Sequence, residues 1–423
     1  MPTKPKSDGI ITVAILGFGK VGSAVAHLIQ MQRPKNLRIT HILNRAVERK
    51  RAAWVNSDII WTERCEDVIN SDVDVVIELI GDVEFAHKCV RQALAAGKHV
   101  VTANKQLVAR YGSELVALAH ENGCRMAYGA AVGGVVPVIP AVVEGLSADS
   151  FHRLCGILNG TCNYILSSME SEGTEMSQAL AEARHHGFAE SDPTADIDGT
   201  DAAAKLAILI AISMHRFVTP EQIPATSIRN IESVDFSYAL MLGCTIRQLA
   251  CASTEDGRVS ASVHPALVPL DSPFGSTRGN DNLIAVYGRH SGRLVFSGAG
   301  AGGNPTAIAV LSDLLAIQRG NTTVPALALQ PVEAIEELRT RHYLRFIVKD
   351  QPGIVAGITT ILAAHNINID AVLQSRGHQD ERLPFVITTE MSSSETVRAA
   401  IQEISRAPYH VASPLNLPVF DSL

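Results

Sequence analysis

The chain has 423 residues, 46% of them hydrophobic and 19% charged, with 31 glycines and 19 prolines. That length predicts two or three domains, and the apolar content rules out global disorder. Thirty-six basic against 43 acidic residues leave a net charge of −7, which argues against a nucleic-acid binder held by phosphate contacts.

Met1–Gly9 is short and polar with no apolar core behind it, so no secretory signal is expected. The longest apolar stretches, such as Leu206–Ile212, fall well short of the roughly 20 residues a bilayer span needs, so no membrane partner is expected. Seven cysteines (Cys65, Cys89, Cys124, Cys155, Cys162, Cys244 and Cys251) form no CxxC pair and no His-flanked zinc spacing. An odd, scattered set predicts reduced core thiols in a cytoplasmic protein.

The first ~130 residues alternate β-rich runs with helical patterns, which predicts βαβ units and a doubly wound parallel sheet of Rossmann type, an α/β fold. Strands are expected at Ile10–Leu16, Leu37–Leu43, Val73–Ile80 and His99–Ala103, with helices at Lys20–Met31, Val83–Ala96 and Lys105–Glu121, and Arg125–Gly129 extended. From about Gly133 the rhythm changes to an α+β pattern. A helix-prone stretch at Val138–Leu146 leads to a strand at Phe151–Leu158, then helices through Met214, then short β-like runs. Thr306–Gln318 reads as a return helix, and residues 319–340 as a polar linker with an acidic helical patch at Glu333, Glu336 and Glu337. The last 80 or so residues read as a separate ferredoxin-like βαββαβ domain. Its strands are Tyr343–Val348, Ile367–Gln374, Leu383–Thr389 and Tyr409–Val419, and its helices Ile354–His365 and Glu395–Ser405.

Gly17-Phe18-Gly19-Lys20-Val21-Gly22 follows the first strand and opens the first helix. In that context GxGxxG predicts dinucleotide binding, with a tight turn, close backbone approach to a pyrophosphate and the helix N-terminus beneath it. The bland alternative is a tight glycine turn. At the end of the second strand stand Asn44 and Arg45, followed by Arg49, Lys50 and Arg51, with no carboxylate for a ribose 2′-OH. A guanidinium there suits a 2′-phosphate, so NADP is preferred over NAD. For Arg49–Arg51 a solvated helix face is the competing reading. Thr102-Ala-Asn-Lys105 ends a strand and starts a helix, where a lysine opposes the helix dipole. Its place there makes sense if the ammonium serves a phosphate or a reacting oxygen; otherwise it is a surface lysine.

Glu190, Asp192, Asp196, Asp198 and Asp201 precede Lys205. Asp201 and Lys205 are the only charges of the helical run Asp201–Met214, which is apolar almost all round and therefore expected to be buried. Desolvation and a carboxylate one turn away act on the lysine in opposite directions and could poise it for proton transfer; an i,i+4 salt bridge is the alternative. The upstream carboxylates suit a cationic substrate group; the alternative is that Asp192-Pro193 and Asp198-Gly199 are turn formers, the better reading for Asp198. Asn159-Gly160-Thr161 sits at a strand-to-helix junction whose amides could receive a carboxylate. The glycine loop around Gly300 and Gly302 could approach a cofactor. Cys162 lacks a patterned histidine and reads as a buried thiol.

These motifs in this order resemble the monofunctional homoserine dehydrogenases over nearly the whole chain. The resemblance rests on Gly17–Gly22, DVDVVIELIG (Asp72–Gly81), AGKHVVTANK (Ala96–Lys105), GILNGTCNYIL (Gly156–Leu166), AEARHHGFAESDPTADIDGTDAAAKLAIL (Ala181–Leu209) and GAGAGGNPTAIAVLSDL (Gly298–Leu314). KDQPGIVAGI (Lys349–Ile358) in its βαββαβ setting is similar to an ACT regulatory domain. The resemblance implies an NAD(P)-binding Rossmann domain at 8–132, completed by the return helix at 306–318, and a catalytic and dimerisation domain at 133–305. It implies a linker at 319–340 and an ACT domain at 341–423. The implied reaction is the reversible NAD(P)H-dependent reduction of L-aspartate 4-semialdehyde to L-homoserine, in threonine, methionine and isoleucine biosynthesis.

By the same resemblance Lys205 is the acid/base lysine with Asp201 beside it, Glu190 holds the substrate ammonium, and Lys105 lies between cofactor and substrate. Asp196, Asn159, Gly160 and Thr161 complete the substrate set. The family's monovalent-cation site, for Na or K, corresponds to carbonyls of Gly129, Val132, Gly134 and Val136, although the family usually has a glutamate where this chain has Gly129. The ACT domain implies threonine as effector near Asp350, Gly353 and Asn366, and a homodimer or homotetramer. The competing functions are a non-catalytic nucleotide and amino-acid sensor and a dehydrogenase of another amino-acid-derived aldehyde.

Overall fold

In the computed structural model the described residues are 10–32, 36–320, 330–335, 339–375 and 382–420. Met1–Gly9 and the acidic residues Glu336 and Glu337 lie outside them. In chain order the first strands are β1 (Ile11–Leu16), β2 (Leu37–Leu43), β3 (Ile60–Thr62), β4 (Val75–Glu78), β5 (His99–Thr102), β6 (Met126–Ala127) and β7 (Phe151–Ile157). Next come β8 (Arg216–Phe217), β9 (Cys244–Glu255), β10 (Arg258–Pro269), β11 (Asp281–Gly288), β12 (Gly292–Ala299), β13 (Gln330–Pro331) and β14 (Ala334–Ile335). The last are β15 (Arg339–Val348), β16 (Ile369–Leu373), β17 (Leu383–Thr389), β18 (Ser392–Ser393) and β19 (His410–Val419). The chain forms two compact units: residues 1–152, 204–220 and 284–332, and residues 153–203, 221–283 and 333–423.

The first unit holds a parallel sheet in the order β3-β2-β1-β4-β5-β6. That is the doubly wound order with its switch point between β1 and β4, where ligands bind at the carboxyl ends of the strands. Val13–Leu16 and Val75–Ile77 are fully buried, as continuous apolar runs must be when helices cover both faces. The helix Lys20–Gln32 contributes Val25, Ala26 and Ile29 to this core, and the helix Gly303–Gln318 returns Ala307, Val310, Leu311 and Leu314 to it. So the return segment is part of the dinucleotide fold.

Three local expectations need correction. Extended structure after Arg125 covers only Met126–Ala127, because a 3-10 turn follows at Gly129–Ala131. Val138–Leu146 is one α turn (Val138–Pro140) running into a π turn (Ala141–Gly145). The acidic patch is not helical where it is described, since Ala334–Ile335 is a strand parallel to β10.

In the second unit the strand order is β7-β9-β10-β19-β15-β17-β16. The helices Gly160–Glu172, Met176–His185 and Ser233–Met241 pack a shared core around Leu166, Met169, Ala183, Tyr238 and Ile246. The C-terminal strands follow the ferredoxin-like order, fourth-first-third-second, over the helices Ile354–Ala364 and Ser394–Ile404, whose core includes Leu344, Phe346, Ile358 and Val397. This βαββαβ element continues the preceding sheet: β19 lies parallel to β10 at Leu267–Val419, and Phe420 N donates to Leu267 O at 2.9 Å.

Cys155 and Cys251 stand opposite each other in the β7–β9 register and are joined in a disulfide. The expectation of seven reduced thiols is therefore wrong for these two. Register brings together residues 96 positions apart, a relation that cysteine spacing cannot reveal. The other five are buried thiols. Among the described residues no helix is long and apolar enough to cross a membrane.

Candidate active site

The glycine turn is built by contacts that forbid side chains. Gly17 has φ +101°, and a Cβ on it would lie 2.5 Å from Leu79 O; one on Gly22 would overlap the carbonyl of Gly17. Gly19 has no neighbour within 4 Å of that position, so its backbone faces open space where a pyrophosphate can approach. Asn44 Oδ1 accepts from Phe18 N at 3.4 Å, tying the turn to the end of β2. Phe18 is buried and packs edge-on against Trp61, with ring centres 5.0 Å apart.

A cavity of about 220 Å³ opens beside this turn, lined by Gly17, Phe18, Gly19, Asn44 and Arg45 and by the Leu79–Asp82 stretch. Five predicted cofactor residues thus line one space at the switch point. Lys20 and Val21 continue into the helix, the first exposed and the second partly buried. Gly302, with φ +130°, precedes the return helix, and a Cβ on Gly303 would lie 3.5 Å from Lys20 O, so this second glycine loop lies against the first. Gly300 is buried.

Thr102 is fully buried and does not line the cavity; its hydroxyl donates to Glu78 Oε2 at 2.5 Å. Asn104 caps the helix Lys105–Glu121, accepting from Leu107 N at 3.1 Å, so Lys105 is that helix's first residue and is partly buried. Sequence reasoning missed Glu78 and also Asp82, which caps the helix Val83–Ala95 through Phe85 N at 2.9 Å. Burial pushes the Glu78 carboxyl up to about 7, against the pull of hydrogen bonds from Thr102, Ile80 and Asn104.

In the second unit Asn159 gathers the acidic constellation. Its Oδ1 caps the helix Gly160–Glu172 by accepting from Cys162 N at 2.8 Å. Its Nδ2 donates to Asp196 Oδ1 at 2.7 Å and to Asp201 Oδ2 at 2.9 Å. Gly160 is packed so closely that a Cβ would meet Asn280 O at 2.6 Å, while Thr161 Oγ1 donates to Phe188 O at 2.7 Å. Cys162 is buried and directs its thiol at Asp196 O.

The helix Thr200–Met214 carries Asp201 at 3% exposure and Lys205 at 8%, and every residue from Asp201 to Ile210 is buried. Glu190, in contrast, is exposed. Asp198 is held by Ser227 and Arg229, the guanidinium keeping its carboxyl below the usual range, and Asp192 accepts from Thr194 N. These two carboxylates are engaged in turns and surface pairing.

The candidate cation loop carries a finding of its own. A Cβ on Gly129 would lie 2.6 Å from Asp313 Oδ1, so no side chain fits there while the aspartate holds its place. The amides of Gly129 and Ala130 donate to the Asp313 carboxyl, its Oδ2 has no hydrogen-bond partner among the described residues, and burial pushes the carboxyl up to about 7. A Cβ on Gly134, which has φ +59°, would lie 2.7 Å from Ala299 O and Gly300 O, while Val132 and Val136 are buried. Among the described residues no group of three or more His, Cys, Asp or Glu is placed to hold a metal, which leaves backbone carbonyls and one carboxylate as the oxygen donors here. Of the regulatory candidates, Gly353 (φ +89°) and Asn366 (φ +55°) take left-handed conformations, and Asp350 is exposed.

Comparison with known proteins decides the family. A homoserine dehydrogenase NAD-binding domain model matches residues 17–129, a homoserine dehydrogenase model residues 137–315, and an ACT domain model residues 342–408. Homoserine dehydrogenase of Bacillus subtilis is 36% identical over 93% of this chain and 95% of its own length. That of Mycobacterium leprae is 38% identical over 92% and 94%. The crystal structure of a homoserine dehydrogenase from Thiobacillus denitrificans superposes with a TM-score of 0.88 at 34% identity, covering 97% of this chain and 98% of that one. The chain belongs to the homoserine dehydrogenase family.

As a homoserine dehydrogenase family member it is an oxidoreductase with a Rossmann-type nucleotide domain, a catalytic domain on a mixed sheet and a C-terminal ACT domain. The NAD-binding match begins at the first glycine of the turn. The homoserine dehydrogenase match spans both the Asn159–Asp201 cluster and Asp313.

Proposed function

We propose that this enzyme interconverts L-homoserine and L-aspartate 4-semialdehyde with a nicotinamide dinucleotide, prefers NADP, and answers to L-threonine through its ACT domain. The buried Asp201 and Lys205, one turn apart on a helix with no polar face, carry the catalytic reading. A lysine on a helix that is otherwise apolar and buried is a placement that proton transfer explains and helix packing does not.

The glycine turn, with its open Gly19 and its forbidden positions 17 and 22, fits the pyrophosphate of such a dinucleotide. When bound, the dinucleotide supplies the hydride for the carbonyl carbon. Lys205 Nζ then holds the proton that neutralises the alkoxide oxygen in reduction and receives it back in oxidation. Asp201, fixed by Asn159 Nδ2, keeps its carboxylate one helical turn from that lysine. Glu190 and Asp196 bind the substrate ammonium, and the amides and hydroxyl of Gly160 and Thr161 its carboxylate. Lys105 serves the negative charge between nucleotide and substrate.

Arg45, lining the cavity at the end of β2, supports the NADP preference; a hyperthermophilic archaeal homoserine dehydrogenase, 27% identical over 74% of this chain with a TM-score of 0.64, was solved in complex with NADPH. For a monovalent cation the candidate ligands are the carbonyls of Gly129, Val132, Gly134 and Val136, with the buried Asp313 carboxyl beside Gly129 as a further oxygen donor; it would fix the loop rather than take part in bonding changes. Asp350, Gly353 and Asn366 are the candidate effector positions, and the enzyme works as a homo-oligomer.

Replacing Lys205 with alanine tests the assignment. Turnover should fall by at least about a thousandfold while nucleotide affinity stays within about threefold, the pattern of a lost transition-state interaction. Wild-type turnover in Lys205→Ala would refute the proton-transfer role.

A further inference from the structure

Glu78 takes no part in the scheme above, and it is fully buried at the end of β4. Its two oxygens anchor a closed ring of hydrogen bonds. Ile80 N donates to Oε1 at 2.6 Å, and Thr102 Oγ1 donates to Oε2 at 2.5 Å. The same Thr102 oxygen accepts from Asn104 N at 2.9 Å, and Asn104 Nδ2 donates to Ile80 O at 3.0 Å, which closes the ring. On one side the ring holds Ile80, which lines the nucleotide cavity next to Gly17; on the other it holds Asn104, the cap that starts the helix of Lys105.

We propose that Glu78 is a positioning residue for Lys105: through Thr102 and Asn104 it locks the start of that helix to the cavity wall, so that the ammonium is aligned with the bound nucleotide. The inference rests on the reading of Lys105 given above.

A purely structural role explains the ring less well. Parallel strands already tie β4 to β5 by backbone pairing from Val75 to Glu78. An apolar side chain at the end of β4 would pack without the cost of burying a carboxyl. The ring joins the two segments that must keep register to within fractions of an ångström for hydride chemistry. Asn104 is committed on three sides, to Thr102, Ile80 and Leu107 N, so it cannot turn without breaking the cap. Glutamine at position 78 keeps the shape but offers an amide where the Thr102 hydroxyl needs an acceptor, leaving a buried donor unmatched.

The test is a double-mutant cycle on the full chain with Glu78→Gln and Lys105→Ala, reading kcat, KM for homoserine, nucleotide affinity by fluorescence titration and thermal midpoint. Glu78→Gln should lower kcat about tenfold with nucleotide affinity within about threefold, and should lower it no further in the Lys105→Ala background. If Glu78→Gln does not fold, Thr102→Val breaks the same ring from the other side and should give the same kcat loss. Wild-type kcat in a folded Glu78→Gln, an equal loss in both backgrounds, or a loss confined to nucleotide affinity would each overturn the proposal. Full kcat in Lys105→Ala alone would remove the lysine's role and this proposal with it, while the Lys205 assignment, tested by its own variant, would stand.

Discussion

Asp313 shows how a single buried carboxyl leaves a measurable trace. Its ordinary value is 3.8 and burial raises it to about 7, so between these values the folded chain keeps a proton that the unfolded chain releases. Its contribution to stability is therefore complete below about pH 4 and lost as pH rises through about 7. In urea titrations without added sodium or potassium, Asp313→Asn should gain stability relative to wild type as pH rises from about 4 to 7. Parallel curves for the two proteins would contradict the buried, unpaired carboxyl. Arg45→Ala, in the lining of the nucleotide cavity, should weaken NADP about tenfold and leave NAD nearly unchanged in paired kinetic assays; equal effects on both would contradict the 2′-phosphate reading. The burial of Lys205 and Asp201 was legible in the sequence because they are the only charges on an apolar helix. Glu78 and Asp313 were not, because each sits in an apolar run and gains its meaning from partners far along the chain, Thr102 for one and Gly129 for the other.

Among the elements, those with long periodic patterns fell where the sequence placed them. Leu37–Leu43, Lys105–Glu121 and Leu383–Thr389 match to the residue. Short or irregular pieces did not. β3 has three residues and no alternation to read, and the π turn after Pro140 departs from a pattern that reads as ordinary helix. The helix Ser233–Met241 is held to β15 by charge buried out of sight of any periodicity. Arg345 pairs with Asp235 Oδ1 at 3.0 Å and Glu232 Oε1 at 2.8 Å, and Tyr343 OH donates to Asp235 at 2.8 Å. Burial raises the Asp235 carboxyl to about 6, with Arg345 opposing the rise. Arg345→Ala strands that carboxylate and should cost about 3–5 kcal/mol in urea unfolding at neutral pH. A cost below about 1 kcal/mol would contradict a dependence of this packing on the ion pair.

For the whole molecule, the sequence order of parts was readable, but their joining was not. The ferredoxin-like element, expected to stand apart, shares a sheet with β10 through β19, because a parallel neighbour far along the chain leaves no local sign. Effector binding at that element should therefore be felt at β10 through the Leu267–Val419 pairing. Saturating L-threonine is predicted to slow turnover, and unchanged rate and apparent affinity would make the element structural or responsive to another ligand. The reaction itself is tested most directly by following the absorbance of reduced nicotinamide as the purified enzyme oxidises L-homoserine, with NADP and with NAD in parallel. Turnover is expected with both, at a higher kcat/KM for NADP. Nucleotide binding without turnover of homoserine would contradict it.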